Sequence, residues 1–380
     1  MASPRLLLSR PDHLGDLLLS LAVAGWLRTL LPDCELASIV PPGLAPVAER
    51  CPAIDETLTA PFPSPVSPDQ PDDWQVAIAR LAPDLAGRFD IALIPRIDDP
   101  WSGSLLAAAG IPVRIGFDHP RTRPYLTHSL PVPDRLHVTR LATLVARAGT
   151  GEVLGVEPGV MPEPDAPWIA PTDADRQEVE SVIAELPGIG TSPLIVVHPG
   201  AGWPLKSWST DNWATVAKRL GATHGTRPLV TGGPSERDLV AEIVAACRGG
   251  VVDVAGRLSI GGLAALYQAA DVVVANDSGP LHLAAAVGTP VVGLYGPAGP
   301  DEFGPWAPVE RQRVVQVRLP CQPCRTMVGP PCGAITSPAC LQAVTPDAVV
   351  TAASELLEVV SRMGARDAAS VDVSQHQRGR

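Results

Sequence analysis

Short, wholly apolar runs alternate along the chain with longer stretches in which apolar residues recur every three to four positions. That alternation predicts strands and helices in βαβ order, and hence parallel sheets. In the first half, residues 5–9 (RLLLS), 36–40, 90–95 and 113–117 (VRIGF) read as strands, with helices over 16–31, ended by Pro32, and over 136–148. The second half alternates more cleanly. Strands are expected at 194–198, 228–231, 251–254, 272–275 and 291–295, and helices at 210–220, 235–247, 261–270 and 278–287, the last capped by Gly288. The segment 61–73 (PFPSPVSPDQPDD) is Pro-rich and acidic and predicts a surface loop. The segment 162–175 (PEPDAPWIAPTDAD) lacks periodicity and reads as an interdomain linker.

The expected fold class is therefore α/β, with two Rossmann-like domains whose parallel sheets face a central cleft. The domains span 1–165 and 166–345, a helix over 346–362 crosses back to the first half, and 363–380 form a flexible polar tail. A chain of 380 residues with 46% hydrophobic and 18% charged side chains has the means to build two cores. The formal net charge of −11 and the lack of any Lys/Arg run argue against a nucleic-acid binder and against docking on anionic lipid. The longest apolar run, 17–27, is far short of the ~20 residues of a membrane span, and the apolar run at 6–8 is too short for a signal peptide. A cytoplasmic location is expected. Only two of the 29 basic residues are lysines, Lys206 and Lys218, so a lysine that persists here has a reason to be a compact ammonium.

In parallel sheets ligands bind beyond the carboxyl ends of the strands, which directs attention to four loops. The first, Arg10 to Asp16, ends in His13-Leu14-Gly15-Asp16. Gly15 is expected to let the backbone turn sharply, and His13 is either a plain loop residue or faces the cleft. Asp16 reads either as a helix N-cap or as a general base that takes a proton from an acceptor hydroxyl. The second loop, 196–208 (VVHPGAGWPLKSW), combines Gly200, Ala201 and Gly202, whose backbone N–H groups are exposed, with Lys206 before a helix. That combination suits a phosphate, though it lacks the spacing of a P-loop; the alternative reading has Gly200 and Gly202 as turn residues and Lys206 on the surface. Trp208 and Trp213 read as packing residues. In the third loop, 231–238, Gly232 permits close backbone approach, and Glu236 either accepts from ribose hydroxyls or is a first-turn acid favoured by the helix dipole. In the fourth, 275–283, Asp277 is placed to cap a helix, while Ser278 and the Gly279 N–H face a phosphate at its positive end. His282, one turn on, is either packed or turned to the same ligand.

Cys321, Cys324, Cys332 and Cys340 form a group with gaps of two, seven and seven residues. The spacing leaves three readings open: a metal site, a disulfide, or packed free thiols.

These loops, in this order, resemble glycosyltransferase family 9, the heptosyltransferases. The pieces that carry the resemblance are HLGD (13–16), VVHPGAGWPLKSW (196–208), VTGGPSERDL (230–239) and the stretch 255–297 around NDSGPLHLAAA. The resemblance implies a GT-B fold and an inverting transfer of a heptose from an ADP-sugar donor. Asp16 then matches the family's base and Lys206 the lysine that neutralises donor phosphate, while Asp277, Gly279 and His282 fall on the donor-binding loop. The implied enzyme needs no cofactor and no metal, because protein groups supply the positive charge; Asp98-Asp99 is a poor metal motif. Its partners are a nucleotide-sugar donor and a small-molecule or glycan acceptor.

Residues 1–160 carry 13 Arg, no Lys and 18 Asp plus Glu. The family's lipopolysaccharide members use basic residues in the first domain, so this balance predicts a neutral or cationic, soluble acceptor, with Arg96, Arg114, Arg121 and Arg123 left to form a local patch. The rival readings are a lipopolysaccharide-core heptosyltransferase, a nucleotide-sugar epimerase and a non-catalytic nucleotide-sugar-binding protein.

Overall fold

The computed structural model describes residues 3–10, 13–62, 71–157, 159–161, 167–186 and 193–377. The chain divides into two compact units, Met1–Ala170 and Pro171–Arg380.

The first unit runs β1 (Arg5–Ser9), α1 (Leu14–Leu30), β2 (Glu35–Val40), a short α2 (Ala45–Ala48), β3 (Glu56–Thr59), α3 (Pro71–Leu85), β4 (Ile91–Leu93), α4 (Pro100–Ala108), β5 (Val113–Phe117), β6 (His128–Leu130) and α5 (Val138–Arg147). Its six strands are parallel in the order β3-β2-β1-β4-β5-β6, the doubly wound arrangement. Leu6, Leu7 and Leu8 are all buried because a central parallel strand is covered on both faces, which is why that stretch shows no polar alternation. Helix α1 is nearly as apolar. Thr139 at the start of α5 donates to its Leu19 carbonyl at 2.8 Å, and the Trp168 indole donates to the Leu18 carbonyl at 2.9 Å.

The second unit runs α6 (Asp173–Ala184), β7 (Ile195–His198), α7 (Thr210–His224), β8 (Leu229–Val230), α8 (Arg237–Cys247), β9 (Val252–Asp253), α9 (Ile260–Ala269), β10 (Val272–Asn276), α10 (Gly279–Ala286), β11 (Val291–Leu294), α11 (Pro300–Phe303), β12 (Gln312–Val315), α12 (Ala339–Gln342) and α13 (Pro346–Gln377). Its sheet has the order β12-β11-β10-β7-β8-β9, again all parallel. Trp208 and Trp213 meet edge to face at 5.2 Å in a core shared with Val230, Val240, Ile243, Val274 and Leu356.

Several expectations change. The helix from Pro346 packs on α7 and on β10, β11 and β12 in the second unit, with Val349, Ala353 and Leu356 fully buried. It continues to Gln377, past the tail expected from 363: Ala, Arg and Gln favour a helix there, and no Gly or Pro interrupts between Gly364 and Gln377. Part of the expected linker, residues 162–166, lies outside the described residues. Residues 168–170 are docked rather than free: Trp168 is held as above, Ile169 is buried, and the Ala170 N–H donates to the Arg50 carbonyl at 2.7 Å. At 172–175, within the same segment, Thr172 and Asp175 form a reciprocal capping box that starts α6. Of the loop at 61–73, residues 63–70 lie outside the described residues, and α3 begins at Pro71. Among the described residues no helix is long and apolar enough to cross a membrane.

Candidate active site

In the first unit the candidate residues stand on the loop after β1. Pro11 and Asp12 lie outside the described residues. His13 is the N-cap of α1, with extended backbone and no capping bond from its side chain. Gly15 is the second residue of the helix rather than a sharp turn, and Asp16 is the third, so Asp16 is not the N-cap. Its carboxylate instead meets Arg10: the guanidinium lies 3.0 Å from Asp16 Oδ1, with the Arg10 side chain 6% exposed and Asp16 24% exposed. A buried cation therefore orients an accessible carboxylate beyond the carboxyl end of β1. Sequence reasoning missed Arg10, although it stands in the same loop.

Three of the four arginines of the expected patch have local partners. Arg121 pairs with Asp98 at 2.9 Å and Arg123 with Asp118 at 3.4 Å, while Arg114 donates to the Tyr125 carbonyl at 2.6 Å. Asp98 also faces His119, at 3.3 Å, and Asp99 caps α4 by accepting from the Ser102 N–H at 3.0 Å.

In the second unit the three loops after β7, β8 and β10 converge. Lys206, on a single helical turn at Pro204–Lys206, places Nζ 2.8 Å from Asp277 Oδ2. Lys206 is 19% exposed and Asp277 only 4%, so the ion pair is largely desolvated with the ammonium on its outer side. Asp277 follows β10, and the N-cap of α10 is Ser278, whose hydroxyl returns to the Asn276 carbonyl at 3.1 Å rather than to the helix. The helix thus begins with backbone N–H groups beside the Lys206 ammonium, a site with affinity for anionic oxygen. Asn276 is fully buried and donates through Nδ2 to the Pro199 carbonyl at 2.7 Å, which ties β10 to the Gly200 loop. His282 is buried one turn into α10.

Gly200 has a specific reason to be glycine. A Cβ there would stand 1.7 Å from Glu236 Oε1 and 2.3 Å from its Cδ. At Gly202 a Cβ would meet nothing, so that glycine is not required by packing. Gly232 lies under Val240 and Glu236, where a Cβ would meet atoms at 3.0 and 3.1 Å. The Glu236 carboxylate, 25% exposed, accepts from the Gly233 N–H at 2.7 Å through Oε2. It therefore closes its own helical turn and at the same time lies against the Gly200 backbone. Beneath it His198, at the end of β7, is buried, and burial pushes its imidazole down to about 4 against the opposing pull of Glu236. His198 belonged to the quoted motif, but nothing in a strand-terminal His announces its partners.

Cys321, Cys324, Cys332 and Cys340 line one apolar cavity of about 50 Å³ together with Leu205 and Pro338. All are free thiols, and among the described residues no three His, Cys, Asp or Glu side chains are placed to hold a metal ion.

Comparison with known proteins bears on the family and the fold. The pattern of glycosyltransferase family 9 (heptosyltransferase) matches residues 78–330. Lipopolysaccharide heptosyltransferase 3 of Escherichia coli is 25% identical over 302 residues, 77% of this chain and 84% of that protein. A glycosyl transferase of family 9 from Veillonella parvula superposes with a TM-score of 0.73 at 22% identity, covering 94% of this chain and 98% of the other. The E. coli ADP-heptose lipopolysaccharide heptosyltransferase II superposes with a TM-score of 0.71 at 21% identity, covering 95% and 99%.

Proposed function

The chain belongs to glycosyltransferase family 9, the heptosyltransferase family, and from that premise we propose that it transfers a heptose, or a related sugar, from an ADP-linked donor to an acceptor hydroxyl, with inversion and without a metal. The observation that carries this reading is the Lys206–Asp277 pair, 2.8 Å apart at the start of α10. A desolvated ammonium beside helix N–H groups is suited to a diphosphate that gathers charge as it departs.

In the proposed reaction Asp16 accepts the proton of the acceptor hydroxyl as its oxygen forms a bond to the anomeric carbon. The bond from that carbon to the β-phosphate oxygen breaks, and its electron pair leaves with ADP. Lys206, the N–H groups of Gly200, Ala201 and Gly202, and the helix start at Ser278 and Gly279 take up that charge. Asp277 fixes the ammonium, Glu236 above Gly200 accepts from ribose hydroxyls, and Gly232 and His282 complete the donor loops. His13 and Gly15 set the acceptor side around Asp16. Because the positive groups are side chains and backbone, a divalent ion is not required for the leaving group.

The acceptor is read as soluble and neutral or cationic. The supporting facts are the excess of acid over base in residues 1–160 and the engagement of Arg114, Arg121 and Arg123 with local partners. The relatives' names favour a second reading, an acceptor of the lipopolysaccharide core.

Mass spectrometry of products from ADP-sugar and UDP-sugar panels tests the proposal. The panels are offered with amine-bearing and neutral acceptors and with a lipopolysaccharide-core acceptor, each with and without EDTA. A glycoside from an ADP-sugar that persists in EDTA and is lost in Asp16→Ala and Lys206→Ala supports it. Product with the core acceptor alone would select the second reading, and donor turnover without any acceptor would replace transfer by epimerisation.

A further inference from the structure

His198 is buried at the end of β7 with polar partners on both ring nitrogens. Nδ1 lies 3.1 Å from the Thr231 hydroxyl and 3.1 Å from the Tyr267 hydroxyl, while Nε2 lies 3.5 Å from Glu236 Oε2. From this geometry we infer that His198 is a positioning residue, whose Nε2–H steers the Glu236 carboxylate onto Gly200 and thereby sets how the site reads the nucleotide's ribose. The inference rests on the proposed contact between Glu236 and ribose hydroxyls.

The neighbours assign the tautomer. Tyr267 is fully buried and its phenol is pushed further up, so it remains an O–H donor. The Thr231 hydroxyl is also 3.4 Å from the Val197 carbonyl, a second acceptor for its proton. The two hydroxyls also lie 3.4 Å from each other, so at Nδ1 either polarity can be met; the acceptor-only carboxylate facing Nε2 selects the tautomer with the proton on Nε2 and Nδ1 accepting. An uncharged donor suits this place. It orients Glu236 without neutralising it, and the carboxylate keeps its full capacity to accept hydrogen bonds. Oε2 takes both the Gly233 N–H and the His198 contact, while Oε1 lies over Gly200 with no hydrogen bond among the described residues. At 3.5 Å the contact is longer than an ordinary hydrogen bond and acts as an N–H dipole facing a carboxylate. The chain of contacts thus runs from Tyr267 on α9 through His198 to the one carboxylate that covers the Gly200 turn.

Calorimetry on the full chain with ADP, 2′-deoxy-ADP and pyrophosphate, for wild type, His198→Leu, His198→Gln and Glu236→Gln, tests this. His198→Leu is expected to weaken ADP about tenfold, the size of one hydrogen bond to a charged group. It should also bring the ratio of the two nucleotide affinities close to that of Glu236→Gln, while pyrophosphate binding stays within about twofold of wild type. His198→Gln, which keeps an N–H donor, should recover part of the ratio. Should His198→Leu fail to fold, Tyr267→Phe removes the hydroxyl facing Nδ1 at nearly constant volume and should shift the ratio in the same direction. A wild-type ratio in both His198→Leu and Tyr267→Phe, or an equal loss of pyrophosphate and ADP binding, would overturn the role. Retention of the ratio in Glu236→Gln, or no ADP binding by wild type, would remove the ribose contact itself and the inference with it.

Discussion

Arg10 and Asp16 are joined across the first turn of α1 at 3.0 Å, the cation buried and the carboxylate open to solvent. If Asp16 is the base, Asp16→Asn should lower kcat by about 10²–10⁴-fold, the range for general base catalysis, with donor affinity unchanged. Arg10→Met leaves the carboxylate in place without its orienting cation. It should lower kcat less than Asp16→Asn does, again without a change in donor Kd. Steady-state kinetics beside donor titration separate the two, and equal kcat in Asp16→Asn and wild type would remove Asp16 from the chemistry.

Lys206 and Asp277 have structural and functional roles that mutation can split. Lys206→Met leaves a nearly buried carboxylate without its partnering ammonium, at a cost of about 3–5 kcal/mol by the behaviour of broken buried pairs. The double variant Lys206→Met/Asp277→Asn removes both charges and should regain most of that stability in urea unfolding. It should not regain transfer activity, because the charge that faces the diphosphate is gone. Recovery of activity with stability would reduce Lys206 to a fold-stabilising residue.

A methyl at position 200 collides with the end of a side chain and not with backbone, since the atoms in its way belong to the Glu236 carboxyl group. Gly200→Ala should therefore fold and bind pyrophosphate, and should lose about tenfold in ADP affinity as Glu236 is displaced. Gly202→Ala, where nothing opposes the methyl, should bind ADP like wild type. The contrast between the two variants is the readout, and equal ADP affinity would mean that Glu236 has no part in nucleotide binding.

The depressed His198 titration has a consequence for acid stability. The unfolded chain protonates this imidazole near the ordinary 6.5 and the folded chain only near 4. Between those values the unfolded state holds the extra proton, so stability is full above about pH 6.5 and declines as pH falls toward 4, by on the order of 3 kcal/mol. The Tm of wild type relative to that of His198→Gln should fall between about pH 7.5 and about pH 4.5. A pH-independent gap in thermal melts would contradict the buried neutral state.

How far the fold could be read from sequence depended on where each strand lies in its sheet. Central strands such as β1, β7 and β10 are buried on both faces, and their unbroken Leu and Val runs announce them. The edge strands β3, β6 and β12 do not, because ETLT, HSL and QRVV are only partly covered and carry polar residues. The helix α4 was missed for a related reason: PWSGSLLAA is a buried segment with little polar alternation, so it has no amphipathic signature. In the site, Lys206 and Asp277 were legible from their loops, but their mutual contact was not. Asp16 stands out as a candidate from its place before the first helix, whereas Arg10 and His198 carry no such signal: the burial of a loop Arg is not written in its spacing, and pairing across 38 residues of chain, as between His198 and Glu236, leaves no periodic trace.

The short, polar edge strands also bear on how copies of the chain behave together. A sheet edge presents unpaired backbone groups that another molecule's edge can join. Here β9 offers two residues and β6 three, and Glu56 of β3 is held by Arg88 at 2.5 Å, which places an ion pair on the rim. With a net charge of −11 added, edge-to-edge association is opposed both locally and at long range. Replacing Glu56 and Thr59 by valine would leave the catalytic loops untouched yet make this rim adhesive, and the loss would appear as turbidity on concentration rather than as a slower enzyme.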